Sequence, residues 1–154
     1  MYRKGVSALI INSKNEFLIV NLDSFEERYF AIPGGGLDEG ETLEDAAYRE
    51  IQEELSIPKE SLEFIGKGKE PLLIHFKTIS LHRDGKEYKG SERFFLGFRY
   101  KGNESDIVPA PGEVRKYKWV SLKDLKEYLL FDNQLENTVE KIKEIFPEII
   151  KNLD

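Results

Sequence analysis

Apolar and polar positions fall into blocks whose period changes several times along the chain. Residues 6–12 and 17–22 are apolar runs rich in β-formers, separated by the polar turn SKNE at 13–16. They read as a hairpin or two adjacent strands. Residues 29–32 read as a short strand ended by Pro33. Gly34, Gly35, Gly36 and Gly40 then suggest a loop that can take positive φ and approach a ligand closely. At Leu43 the period becomes helical, with Thr42 as N-cap and Asp45 three residues later, and the helix is expected to run to Leu55. Residues 58–61 are a connector, and 62–81 hold two β-like pieces with a bend at 66–70. A polar turn at 82–90 precedes an aromatic strand at 93–100. After the stiff loop PAPGE at 109–113, residues 114–120 read as another strand. Ser121 is expected to cap a short helix over SLKDLKEYLL. Asp132 should start a last amphipathic helix, with Leu135, Val139, Ile142, Ile145 and Phe146 on one side, which Pro147 ends or kinks. Strands, a helix, more strands and then helices describe an α/β fold, a mixed sheet between helices. No repeat, low-complexity tract or long linker divides the chain, so residues 1–154 read as a single domain.

The helix at 43–55 carries an anomaly. At about 100° per residue, Leu43, Ala46, Ala47, Ile51 and Leu55 share one face. Glu50 and Glu54 fall inside that face and Glu53 at its edge, with Arg49 further out. A solvated acidic face would place them on the other side. Buried like charges are costly unless something positive lies among them. A hard divalent cation with oxygen ligands answers that need.

Composition narrows the setting. The chain is 40% hydrophobic, enough for a core, and has no cysteine, which excludes disulfides and thiolate chemistry. A reducing cytoplasm fits. The apolar run at 6–11 is too short for a signal peptide, and nothing approaches the roughly 20 apolar residues of a membrane span. A formal charge of −6 argues against a broad nucleic-acid surface but leaves room for a local basic pocket holding one phosphate chain.

The spacing of Gly35, Glu41, Arg49, Glu50, Ile51, Glu53, Glu54 and Ile57 resembles the signature of the Nudix hydrolases. Ser56 stands where that signature has glycine. Glycine there suits a left-handed residue just past a helix end, so the departure concerns local stability and removes no ligand. Tyr2-Arg3, KGSERFFLGF at 89–98 and GEVRKYKWVS at 112–121 resemble the subgroup of RNA 5′-pyrophosphohydrolases and dinucleoside polyphosphate hydrolases. Pro33-Gly34-Gly35-Gly36, and Ser91 in place of glutamine, depart from that subgroup. The PGGG form is shared with members that clean nucleoside triphosphates.

The resemblance implies an α/β/α sandwich with a central mixed sheet and a catalytic strand-loop-helix-loop. It implies a cytoplasmic, Mg²⁺-dependent pyrophosphohydrolase, with Mn²⁺ able to substitute, acting as a monomer or homodimer. Glu50, Glu53, Glu54, Glu113 and a carbonyl of Gly34 are the expected metal ligands. Glu50 or Glu54 is the expected base, with Glu113 a third choice, and Arg49 completes the catalytic group by bracing loop and helix through Glu41. Substrate contacts are expected from Arg3, Arg28, Gly35, Gly36 and Tyr29, the arginines because a guanidinium matches phosphate oxygens in a fork. Tyr29, Phe30 and Phe76 are candidates to stack on a base, and His75 and His82 read as structural or exposed. The expected substrate is a dinucleoside polyphosphate or the 5′-triphosphate end of RNA. The alternatives are a (deoxy)nucleoside triphosphate pyrophosphatase and a non-catalytic nucleotide-binding module.

Overall fold

The computed structural model describes residues 1–81 and 85–151. Its centre is a sheet ordered β4-β6-β1-β2-β7, built from β1 (Tyr2–Ile11), β2 (Phe17–Leu22), β4 (Leu62–Lys67), β6 (Glu87–Tyr100) and β7 (Val114–Val120). Two further strands lie off this path: β3 (Gly34–Gly36) pairs with β1, and β5 (Leu72–Leu81) pairs with β6. The β1–β6 pair is parallel, from Tyr2↔Gly90 to Ile11↔Arg99, and the other pairs are antiparallel. The sheet is therefore mixed.

Alternation along the strands makes two cores. Val6, Ala8 and Ile10 of β1 and Leu96 and Phe98 of β6 face helix α1 (Leu43–Leu55), where Ala46, Ala47, Ile51 and Leu55 meet them. Leu9, Ile11 and Phe95 point to the other side and pack with Ile142 and Ile145 of α2 (Gln134–Ile145). The result is the expected α/β/α sandwich. Among the described residues no helix is long and apolar enough to cross a membrane.

Several elements differ from the sequence expectation. Residues 29–32 form no strand; Ala31 alone bridges Val20, with N–H···O contacts of 2.8 and 2.9 Å. The chain is bent there because the buried Asn21 amide donates to the carbonyls of Glu26 and Tyr29. The glycines at 34–36 are strand rather than loop, in register Ser7↔Gly34, Val6↔Gly35 and Gly5↔Gly36. A Cβ on Gly34 would collide with the Val6 carbonyl, so this close pairing needs glycine. Strand β6 begins at Glu87 because β1 and β5 supply partners to its first half. Of the expected turn at 82–90, residues 82–84, His82 among them, lie outside the described residues.

At 122–127 the helix is a 3₁₀ turn, and the Ser121 hydroxyl bonds the Asp124 carboxylate (3.0 Å) rather than capping a backbone N–H. Left-handed Asn133, not Asp132, precedes α2. Pro147 opens a short helix α3 (Pro147–Lys151), a position where its missing N–H costs nothing. On α2, Lys141 is buried and donates to the Glu70 carbonyl (2.6 Å), so its charge is held at the base of β5.

Candidate active site

Helix α1 delivers the acidic cluster. Thr42 accepts a hydrogen bond from the Asp45 N–H (3.1 Å), the expected cap, and the helix ends where the periodicity ends. Glu54 is 3% exposed and Glu50 9%. Burial raises the pKa of Glu54 to about 8; the Gly34 N–H, which donates to it at 3.0 Å, opposes that rise, and the charges of Glu50 and Glu113 add to it. Burial also raises the pKa of Glu50, against the pull of Arg49 and with the push of Glu53 and Glu113. Glu53, on the rim, is about half exposed and lies 3.3 Å from Arg49.

Arg49 ties the helix to the segment before it. Its Nε and Nη2 make a fork on Glu41 at 2.7 and 2.9 Å, and Nη2 also reaches the Gly36 carbonyl at 2.8 Å. Its Nη1 donates to Glu50 at 2.9 Å. This fork holds the Glu41 carboxyl below its ordinary range and raises the pKa of Arg49. Arg49 thus supplies positive charge between Glu50 and Glu53. Among the described residues, no three acidic or imidazole side chains are drawn together around one point. Even so, the donor set is all oxygen, and burial holds two of its carboxyls, Glu50 and Glu54, back from ionising. That chemistry fits a hard divalent cation.

Glu113 reaches the same place from the loop before β7. With Glu50, Glu53 and Arg49 it lines a cleft of about 820 Å³, whose other wall includes Arg3 and Gly36. Backbone bonds fix this loop: the Ala110 N–H donates to the Glu54 carbonyl (2.9 Å), and the Asp23 N–H to the Glu113 carbonyl (2.9 Å). The glycine strand lets the carboxylates come close, since a Cβ on Gly35 would occupy the position of the Glu50 carboxylate. Of the expected site residues, Arg3, Gly36, Arg49, Glu50, Glu53 and Glu113 line this cleft; Gly35 lies against Glu50, and Gly34 bonds Glu54, which is not part of the lining.

Arg28 and Tyr29 stand apart from this cleft. Arg28 is exposed, 3.5 Å from Glu26, with its guanidinium over the Tyr29 ring (4.7 Å). Tyr29 stacks on Phe131 at 4.6 Å between centroids. Phe131 lies at the edge of a second cleft of about 490 Å³, between the sheet and α2, which Phe76 also lines. Phe30 is core. His75 bonds the Tyr2 hydroxyl (2.9 Å).

Sequence reasoning missed Phe131 and Arg93, both of which line the second cleft. The alternation of β6 carried a signal for Arg93, because Phe95, two residues on, faces α2. Phe131 carried none that separated it from core aromatics.

A NUDIX domain model matches residues 1–144. The chain belongs to this family, as a pyrophosphohydrolase. It is 30% identical over 148 residues to an RNA pyrophosphohydrolase of Pelagibacter ubique, covering 93% of this chain and 92% of that one. It is 30% identical over 133 residues to the enzyme of the same name from Zymomonas mobilis, covering 84% and 85%. Among solved structures, the binary complex of the C. elegans Ap4A hydrolase superposes with a TM-score of 0.70 at 22% identity, covering 98% and 99% of the two chains. The MutT protein of Methanosarcina mazei Go1 gives 0.62 at 21% identity, covering 99% and 96%. These last two likenesses concern the fold.

Proposed function

We propose that this single domain of residues 1–154 is a cytoplasmic enzyme that hydrolyses a pyrophosphate bond at the 5′ end of RNA or within a dinucleoside polyphosphate. One observation carries the reading. A carboxylate-lined cleft and an apolar cleft meet at Arg3, which lines both. A polyphosphate belongs in the first and a nucleoside in the second. The names of the curated relatives, RNA pyrophosphohydrolases, support the RNA end as one of the two substrates.

Family members generally use divalent metals, and we assign Mg²⁺ here, with Mn²⁺ able to substitute. Glu50, Glu53, Glu54, Glu113 and the Gly34 carbonyl would hold it. When bound, it offsets the charge of the phosphate chain and lowers the pKa of water. The chain's own residues do the rest. Glu54, buried and oriented by the Gly34 N–H, or Glu50 beside it, accepts the proton of the attacking water. Arg49 fixes Glu50 and the Gly36 carbonyl, so the helix and the glycine strand hold one geometry. Arg3 contacts phosphate at the junction of the clefts. A flat base leaving the apolar cleft would meet the Tyr29–Phe131 stack.

A substrate panel tests the reading: triphosphorylated RNA, diadenosine polyphosphates and free (deoxy)nucleoside triphosphates, each with Mg²⁺ and chromatographic product analysis. The first two should be cut with the higher kcat/KM. If free triphosphates turn over far faster, the enzyme is a nucleotide-pool pyrophosphatase and the substrate assignment falls.

A further inference from the structure

Strand β3 is glycine at all three positions, and charge of opposite sign presses on it from its two faces. From the α1 side comes the Glu50 carboxylate, which a Cβ on Gly35 would strike. From the α2 side come guanidiniums. A Cβ on Gly36 would strike that of Arg3, and a Cβ on Gly5, paired with Gly36, would lie 3.0 Å from Nη1 of Arg93.

Arg93 is an unusual residue in this setting. Gly5 of β1 pairs with it in the parallel ladder, and it sits half-buried on the α2 side of β6, lining the second cleft. Its Nε donates to the Ser7 hydroxyl at 3.3 Å, and among the described residues no carboxylate pairs with it. Burial disfavours its charge most; Glu54 and Glu50 beyond the glycine strand favour it, and Arg3 disfavours it again. Among the described residues this half-buried guanidinium has one neutral hydrogen-bond partner, a second guanidinium nearby and no carboxylate in contact. Its guanidinium borders a cleft whose other walls include Ile32, Leu72 and Phe95.

We propose that Arg93, with Arg3, holds the phosphate directly attached to the nucleoside, on the face of β3 opposite the catalytic carboxylates. This rests on the pyrophosphohydrolase reading and assigns Arg93 as a substrate-binding residue. The glycine strand then divides the labour. Phosphates on the α1 side are held with metal, and the nucleoside phosphate on the α2 side is held by protein alone.

The site should therefore bind a nucleoside monophosphate without any divalent cation. The full chain is titrated calorimetrically in EDTA with AMP and GMP, and with adenosine and guanosine. The monophosphates are expected to bind about tenfold to a hundredfold more tightly than their nucleosides, the range for charged hydrogen bonds in a partly desolvated site. Arg93→Gln should abolish the difference, and Arg93→Lys should keep part of it, with circular dichroism and thermal melting reporting the fold of each. The wild-type comparison needs no variant. If monophosphate and nucleoside bind equally, or if neither binds, the proposal is wrong. It is also wrong if Arg93→Gln keeps the wild-type preference. Should wild type hydrolyse the substrate panel yet show no preference in EDTA, this inference falls and the enzyme assignment stands. Should it hydrolyse nothing yet show an Arg93-dependent preference, the assignment falls and the anion site stands.

Discussion

Glu54 and Glu53 are neighbours in sequence with different surroundings. The first is 3% exposed and bonded to the Gly34 N–H; the second has an outward carboxylate shared with Arg49. Glu54→Gln should lower kcat by about a hundredfold or more, the range for loss of a positioned base. Glu53→Gln should raise the Mg²⁺ concentration needed for half-maximal rate, with a smaller loss of kcat. Hydrolysis by both variants at the wild-type rate, with contaminating activity excluded, would overturn the enzymatic assignment. Above pH 4.5 the glutamine at 54 should also make the metal-free protein more stable, because a neutral amide needs no proton uptake to be buried. At this scale much of the site is legible in the sequence. Glu50, Glu53 and Glu54 lie three and four residues apart, so helical geometry alone groups them. Arg28 is misleading by the same standard: its nearness in sequence to the glycines does not bring it to the cleft, because the Asn21 amide turns the segment outward.

Helix α1 is predictable to the residue because its cap, its apolar stripe and its termination all lie within a short window. Its end bears a testable detail. Ser56 is left-handed (φ 61°), its N–H bonds the Gln52 carbonyl, and its hydroxyl donates to the Val108 carbonyl at 3.1 Å. The strain of a side chain at positive φ and the greater unfolded-state entropy of glycine are each about 1 kcal/mol and oppose one another. The hydroxyl bond adds about 0.5–1 kcal/mol. Ser56→Gly, in which the first two effects cancel, and Ser56→Ala, which keeps the strain, both lose the bond, so each should be about 0.5–1 kcal/mol less stable than wild type in urea titrations. Wild-type stability in Ser56→Ala would mean that the hydroxyl contributes nothing. Strand β3 is the element that eludes sequence reasoning. Three glycines carry no periodicity, and their strand character comes from β1, many residues earlier.

The acidic cluster shapes the stability of the whole molecule. Glu54 retains its proton to about 8 in the metal-free fold, against an ordinary value of 4.5. Between these values the folded state binds more protons than the unfolded one, so stability falls as pH rises. The contribution is fully present below 4.5 and is lost as pH passes through about 8. A divalent cation replaces the proton, so Mg²⁺ should raise the melting temperature more at pH 8 than at pH 5. Equal stabilisation at both would show that the ion binds away from these carboxylates. The sandwich itself was readable from the order of strands and helices. The strand order was not, because no local pattern states that β6 lies parallel to β1.

That parallel pairing also has a consequence in time. The most central strand is made first, yet its long partner joins it only from Gly90 onward. The surface that receives α1 uses Val6, Ala8 and Ile10 from one strand and Leu96 and Phe98 from the other. Helix α1, only 13 residues long and marginal by itself, has no complete seat until β6 emerges. Non-local pairing of this kind slows folding. Docking of the acidic helix is therefore expected to wait for β6, which would make a chain cut short before Gly90 unable to seat it.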